Sequence, residues 1–267
     1  MILSRTLSRR WWKTSLLVIL AMGVMARLGV WQLDRLAQRR AFNARVEAQI
    51  NQPLFGLRDA GLKADLEAME YREVRAVGEY DFSWEVALRN QAWNNRSGVH
   101  LITPLRIANS DQVILVDRGW IPYEEYAVGN WEKFSEPGVS VVKGVIRRSQ
   151  EKADFGWRTD PTPAPGEARL TAWNLVNVAR IGEQLPYPIL PVYIQQTPEL
   201  GWEGLPYRSQ PEVELSEGPH LGYALQWFTF AAVLGIGYPF YIRREEPTGV
   251  SLKDQSKEMQ VRSGSLR

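Results

Sequence analysis

Two apolar runs frame this chain, and a long segment with a different rhythm lies between them. From Thr14 to Leu33, 20 residues carry one charge, Arg27. From Gly218 to Ile242, 25 residues carry no Asp, Glu, Lys or Arg. About 20 apolar residues suffice for a helix to cross a bilayer core, so both runs predict transmembrane helices. A basic start (Arg5, Arg9, Arg10, Lys13) also opens signal peptides, but the first run is too long and lacks a clean small-x-small cleavage site. It reads as an uncleaved anchor.

Between the runs the pattern changes twice. Phe42, Val46 and Ile50 recur every fourth residue, so Asp34–Ile50 extends the first helix until Asn51-Gln52-Pro53 stops it. Asp59–Met69 predicts a second short helix. Val74, Ala76, Gly78 and Tyr80 then alternate with more polar residues, and Val99–Ile107 alternates again. Asn109-Ser110-Asp111 turns the chain into Val113–Val116, a predicted hairpin. Val139–Ile146 and Ile189–Gln195 are further strands, with a helix at Leu175–Leu185 between them. Asp154–Gly166, with three prolines and two glycines, reads as a surface loop. Pro198–Pro219, with four prolines, reads as a stiff lead-in to the second span.

The expected fold class is therefore membrane-anchored α+β. Two transmembrane helices, N- and C-terminal, flank a mostly antiparallel β external domain with a few helices. The expected boundaries are a basic N-terminus at 1–13, spans at 14–33 and 218–242, the external domain at 34–217 and a tail at 243–267. Basic residues precede the first span and Arg243-Arg244 follow the second, which places both termini in the cytoplasm. The external segment carries 21 basic and 26 acidic residues, and a loop of that length crosses regardless of charge. With only 13 residues before the first span, a mitochondrial presequence has little room. The expected location is a bacterial plasma (inner) membrane.

Composition mainly excludes. The chain has 267 residues and no cysteine, which removes disulfides, CxxC redox chemistry, thiolate zinc sites and thiol-based copper delivery. Its net charge of +2, with no basic patch interleaved with aromatics, argues against nucleic acid as a partner. No GxSxG elbow, phosphate loop or dinucleotide fingerprint occurs, so no enzyme is expected.

Five stretches, in order, resemble the Surfeit locus 1 family: Gly29–Leu36, Tyr71–Val74 leading to Gly78–Asp81, Gly98–Leu105, Val116–Pro122 and His220–Phe228. The resemblance implies an assembly factor (a chaperone of the respiratory chain) for haem–copper cytochrome c oxidase. It implies work with subunit I and the haem a synthesis machinery, with haem a as cofactor and His220 as the proposed iron ligand. Pro219 precedes that histidine, where family members often carry a polar residue. A haem-independent scaffold for oxidase intermediates is the alternative.

The residues allow a separate check. Imidazole is the commonest axial donor to haem iron, and His100 and His220 are the two histidines. His220, Tyr223, Trp227 and Phe230 fall at i, i+3, i+7 and i+10, one helical face that suits a flat macrocycle or helix packing. Arg27 and Trp31, four apart near the external end of the first span, suit the haem propionates or a side chain reaching for the interface. His220 has two readings, haem ligand or interfacial residue bonded to the other helix. A bis-imidazole centre built on it requires a homo-oligomer. His100, inside a strand, reads as an ordinary satisfied histidine, and Asp117-Arg118 as a structural turn or ion pair.

Overall fold

The computed structural model describes residues 8–127, 131–152, 160, 163 and 169–245. The predicted loop at 154–166 lies almost entirely outside these residues. In chain order the elements are helix α1 (Trp12–Ile50), strands β1 (Phe55–Gly56), β2 (Glu73–Tyr80), β3 (Val86–Trp93), β4 (Arg96–Ile107) and β5 (Val113–Pro122), then the short helix α2 (Tyr123–Ala127). Strands β6 (Val139–Arg148) and β7 (Ala172–Trp173), helix α3 (Val178–Gly182), strand β8 (Ile189–Gln196) and helix α4 (His220–Glu245) follow. Two compact units result. One holds the chain up to Asn43 and from Ser216 on; the other spans Ala44–Leu215.

The first unit is an antiparallel pair of helices. Along α1, Ser15, Val18, Met22, Met25, Gly29, Gln32, Leu36, Arg39 and Asn43 are buried or half-buried, at alternating intervals of three and four. That spacing holds one face of a helix against a neighbour over many turns. The answering face of α4 is His220, Ala224, Trp227, Ala231, Leu234, Tyr238 and Ile242. Ser15 Oγ lies 2.7 Å from Tyr238 Oη at one end, and Arg40 pairs with Glu217 at 2.8 Å at the other. Gly29 is buried because a Cβ there would stand 2.7 Å from the Phe228 ring. Away from the seam the surface is apolar: Leu17, Ile19, Leu20, Leu225, Val233, Ile236 and Phe240 are each more than 60% exposed. Both helices are long and apolar enough to cross a membrane, and neither is buried as a core helix would be.

The second unit is built on a barrel. Strand β2 bonds β6 along Glu73–Glu79 and also bonds β4 at Gly78–Tyr80. Since β6 bonds β8, β8 bonds β5 and β5 bonds β4, the ring β2-β6-β8-β5-β4 closes. Closure removes the open edges that a sheet would otherwise expose. Five strands in this Greek-key order, with β5 and β8 parallel, have the topology of OB-type barrels. Both β5–β8 and two short pairings (β1–β2, β3–β7) are parallel. The sheet is thus more mixed than alternation alone implied.

Inward positions follow the period of two. Val74, Ala76, Leu105, Ile107, Ile114, Val116, Val142, Ile146, Leu190, Val192 and Ile194 fill the interior. The same inward rows end on polar residues: Tyr80, Thr103, Arg118 and Gln196. There Arg118, with no exposed surface, pairs with Glu85 at 2.7 Å and Glu136 at 3.0 Å. Glu136 also receives Arg208 at 2.7 Å, and the Gln196 amide hydrogen-bonds Tyr80 Oη at 3.2 Å. An ionic plug therefore closes one end of an apolar barrel. Outside it, α3 and the chain around Trp173 cover Leu88, Ile102, Leu115 and Tyr193. This is why all ten residues of β5 are buried, on both faces.

Two sequence expectations change, and one strand is added. Asp59–Met69 forms two 3₁₀ turns, Asp59–Lys63 and Glu67–Met69, interrupted by Ala64-Asp65-Leu66, with Asp59 at φ 46°. The helix at Leu175–Leu185 shrinks to Val178–Gly182, because Asn177 caps it by accepting from Arg180 N at 3.1 Å. Upstream, Asp160 accepts from Asn174 N and Leu175 N, which commits those amides outside any helix. Strand β3 has no counterpart among the strands read from the sequence. It follows no clean alternation, since Val86–Leu88 are all buried and a bulge with Asn90 at φ 61° follows. Asn94 and Asn95, both at positive φ, make the two-residue turn into β4.

Candidate functional site

Helix α4 begins at His220, and Pro219 O accepts the first turn's bond from Tyr223 N at 3.1 Å. Pro219 is thus the cap of α4. His220 occupies the first seam position of α4, and its Nδ1 lies 2.8 Å from Oε1 of Gln32 on α1. Gln32 is 9% exposed. This bond leaves His220 Nε2 with no hydrogen-bond partner among the described residues.

The structure places the other sequence candidates around this pair unevenly. Trp227 is half-buried in the seam, while Tyr223 and Phe230 flank it at 49% and 45% exposure. The Trp227 and Phe230 rings meet edge to face at 6.2 Å. So His220, Tyr223, Trp227 and Phe230 do share a side of α4. Arg27 is different. It is exposed and lies five residues from Gln32, about 140° around the helix and roughly 7.5 Å along it. The helices therefore do not converge Arg27 on His220. Trp31, 41% exposed, is covered by the Arg35 guanidinium at 5.6 Å from its ring. Arg35 is the basic residue about one turn C-terminal to Gln32 on α1, and the sequence reading did not single it out. From sequence position alone, Gln32 reads as a residue that closes the helix interface. Its signal was available: a polar residue in phase with Gly29 and Leu36 on the buried face.

His100, the second histidine, lies in the barrel unit. Its Nδ1 sits 2.9 and 2.8 Å from the two Asp117 carboxylate oxygens, and Asp117 also accepts from Gly119 N at 3.1 Å. This is the satisfied histidine that the sequence suggested, with a structural partner. Burial disfavours the imidazolium, but the charge and hydrogen bond of Asp117 outweigh it, so His100 titrates above its usual range. Because the folded value is raised, the folded state binds the extra proton. The pair's contribution is full below about pH 6.5 and is lost as pH rises through the raised value. Urea midpoints are expected to fall across that window, and Asp117→Asn to flatten the fall. Equal slopes in both proteins would remove this pair as the source.

No group of three or more His, Cys, Asp or Glu able to hold a metal ion occurs among the described residues. The donor chemistry fits a prosthetic group that needs one axial imidazole and an apolar flank. Among the described residues it offers no donor set for a metal ion that needs a full protein cage.

Comparison with known proteins is consistent over nearly the whole chain. The model of the SURF1 family matches residues 19–232, which include α1 from Ile19, the barrel and His220. A SURF1-like protein of Rickettsia bellii is 24% identical over 250 residues, covering 92% of this chain and 98% of its own. One from Caenorhabditis briggsae is 24% identical over 242 residues, 83% and 73% respectively. An uncharacterized SURF1-like protein of Mycobacterium bovis is 26% identical over 255 residues, 91% and 90%.

Proposed function

The chain belongs to the SURF1 family, and from that premise we propose that it is a membrane-anchored assembly factor for haem–copper cytochrome c oxidase. In this reading it handles or presents haem a while subunit I matures, and it catalyses no reaction of its own. The family is generally linked to oxidase assembly, and relatives occur in bacteria as well as in animals. The exposed apolar girdle of α1 and α4 favours a bilayer as their solvent. The antiparallel pairing puts Arg9, Arg10, Arg243 and Arg244 at one end of the hairpin. The positive-inside rule assigns that end to the cytoplasm of a bacterial plasma membrane. The barrel unit then stands outside, where it would meet subunit I and the haem a synthesis machinery.

The observation that carries haem handling is His220 at the start of α4, bonded through Nδ1 only and flanked by Tyr223, Trp227 and Phe230. When bound, the haem would supply an iron centre that takes an axial nitrogen. His220 would provide that nitrogen, the aromatic side chains an apolar wall, and Arg35 a cation for the propionates. An ionisable side chain within an apolar span is costly, which favours a functional role.

One observation favours a second reading. The His220–Gln32 bond also closes the hairpin, as a haem-independent scaffold would require. Absorption spectra after co-expression with haem a synthesis separate the two. Wild type is expected to show a Soret band that disappears in His220→Ala. A band that persists in the variant removes His220 as ligand. No band in wild type, with normal oxidase assembly in His220→Ala, leaves the scaffold.

A further inference from the structure

An amide oxygen only accepts hydrogen bonds. Gln32 Oε1, 2.8 Å from His220 Nδ1, therefore requires the proton on Nδ1. A neutral imidazole carries one ring proton, so Nε2 is then the bare nitrogen. Gln32 is itself held: it is 9% exposed, and it lies in the helix seam between Gly29 and Leu36. A buried amide that lost this partner would pay its full desolvation, so the orientation is strongly preferred over a free one. His220, on the first turn of α4, has no neighbour among the described residues that hydrogen-bonds its other nitrogen.

We propose that Gln32 is a positioning residue that fixes His220 as the Nδ1–H tautomer and so presents Nε2 as its ligating atom. The inference rests on the haem reading for what Nε2 meets, but not for the tautomer. Ligating histidines generally donate their second ring N–H to a fixed acceptor, which sets ring orientation and raises ligand basicity. Here the acceptor comes from the opposite helix. The ring is therefore presented only when α1 and α4 are paired. A helix pair that came apart would lose the acceptor and the ligand geometry together. This links the state of the hairpin to the readiness of the site.

Two measurements test this in the full chain in detergent. The first is nitrogen NMR of the apo protein labelled at histidine; the two histidines are assigned with His220→Ala. His220 is expected to show a protonated Nδ1 and a bare Nε2, and Gln32→Leu is expected to mix the two tautomers. The second is titration with haem a. Loss of such an acceptor typically weakens ligation 10- to 100-fold, and Gln32→Leu is expected to fall in that range. Gln32→Glu, a stronger acceptor, should retain binding and lower the midpoint potential of the bound haem, an effect that simple seam packing would not produce. It also covers the case in which Gln32→Leu fails to fold. Protonation at Nε2 in wild type, or unchanged tautomer and affinity in Gln32→Leu, overturns the inference. A protonated Nδ1 with no haem bound by wild type instead overturns the haem reading and leaves the role of Gln32 standing.

Discussion

Replacing Gly78 by Val is expected to destabilise the barrel by at least about 3 kcal/mol, the upper end of ordinary overpacking costs. Gly78 is the residue at which β2 is shared: it registers with Ser140 of β6 and with Ile107 of β4. A Cβ there would stand 2.1 Å from Arg106 O and 3.1 Å from Leu105 Cγ. The clash is with backbone across the closing seam, so no side chain can swing away to relieve it. Either β2 and β4 part or the inward row from Val74 to Tyr80 shifts. Denaturant unfolding of the detergent-solubilised chain, followed by tryptophan fluorescence, should show the loss. Near-wild-type stability of Gly78→Val would mean that β2 does not close against β4 here.

The second large effect concerns the plug. Arg118→Leu is expected to cost about 3–5 kcal/mol, the usual penalty for removing one member of a buried pair. Glu85 is 6% exposed; burial already raises its carboxyl above the usual range, and Arg118 is the chief opposing influence. Without Arg118, both Glu85 and Glu136 lose a partner, and the guanidinium's packing over Tyr80 and Phe82 is lost too. Arg118→Leu with Glu85→Leu should therefore be more stable than Arg118→Leu alone, because an apolar pair carries no unpaired charge. The deficit of the single variant should also shrink toward acid pH, where Glu85 can protonate. A single-variant cost below about 1 kcal/mol, or strict additivity in the double variant, would refute this account.

Much of this was legible in the chain because the signals are local. Alternation at Val74–Tyr80 and Val99–Ile107 is a local signal, and the sheet uses both segments. The two apolar runs are equally local, since length and composition alone fit a helix to a bilayer. Strand β3 escaped because it is covered unevenly: Ala87 and Leu88 lie under β7 and α3, whereas Arg89–Trp93 do not. The helix at 175–185 was overestimated because periodicity does not reveal that Asp160 captures the amides of Asn174 and Leu175.

The candidate site divides in the same way. A histidine at the mouth of an apolar span, with aromatics at helical spacing, is a sequence property. Which residue faces it is not. Arg27 and Trp31 looked like its natural neighbours by depth alone. Rotation about α1 instead turns Arg27 away and brings Gln32 into the seam. By itself, then, the sequence determined most of the strands, the two long apolar helices, the family motifs and the scarcity of histidines. The tertiary structure decided that five strands close into a barrel, that an arginine plugs its end, and that Gln32 holds the imidazole. The plug and the imidazole contact join side chains 18 to 188 positions apart, and closure joins strands distant in sequence. Such pairings follow from register and helix rotation, which no local period encodes.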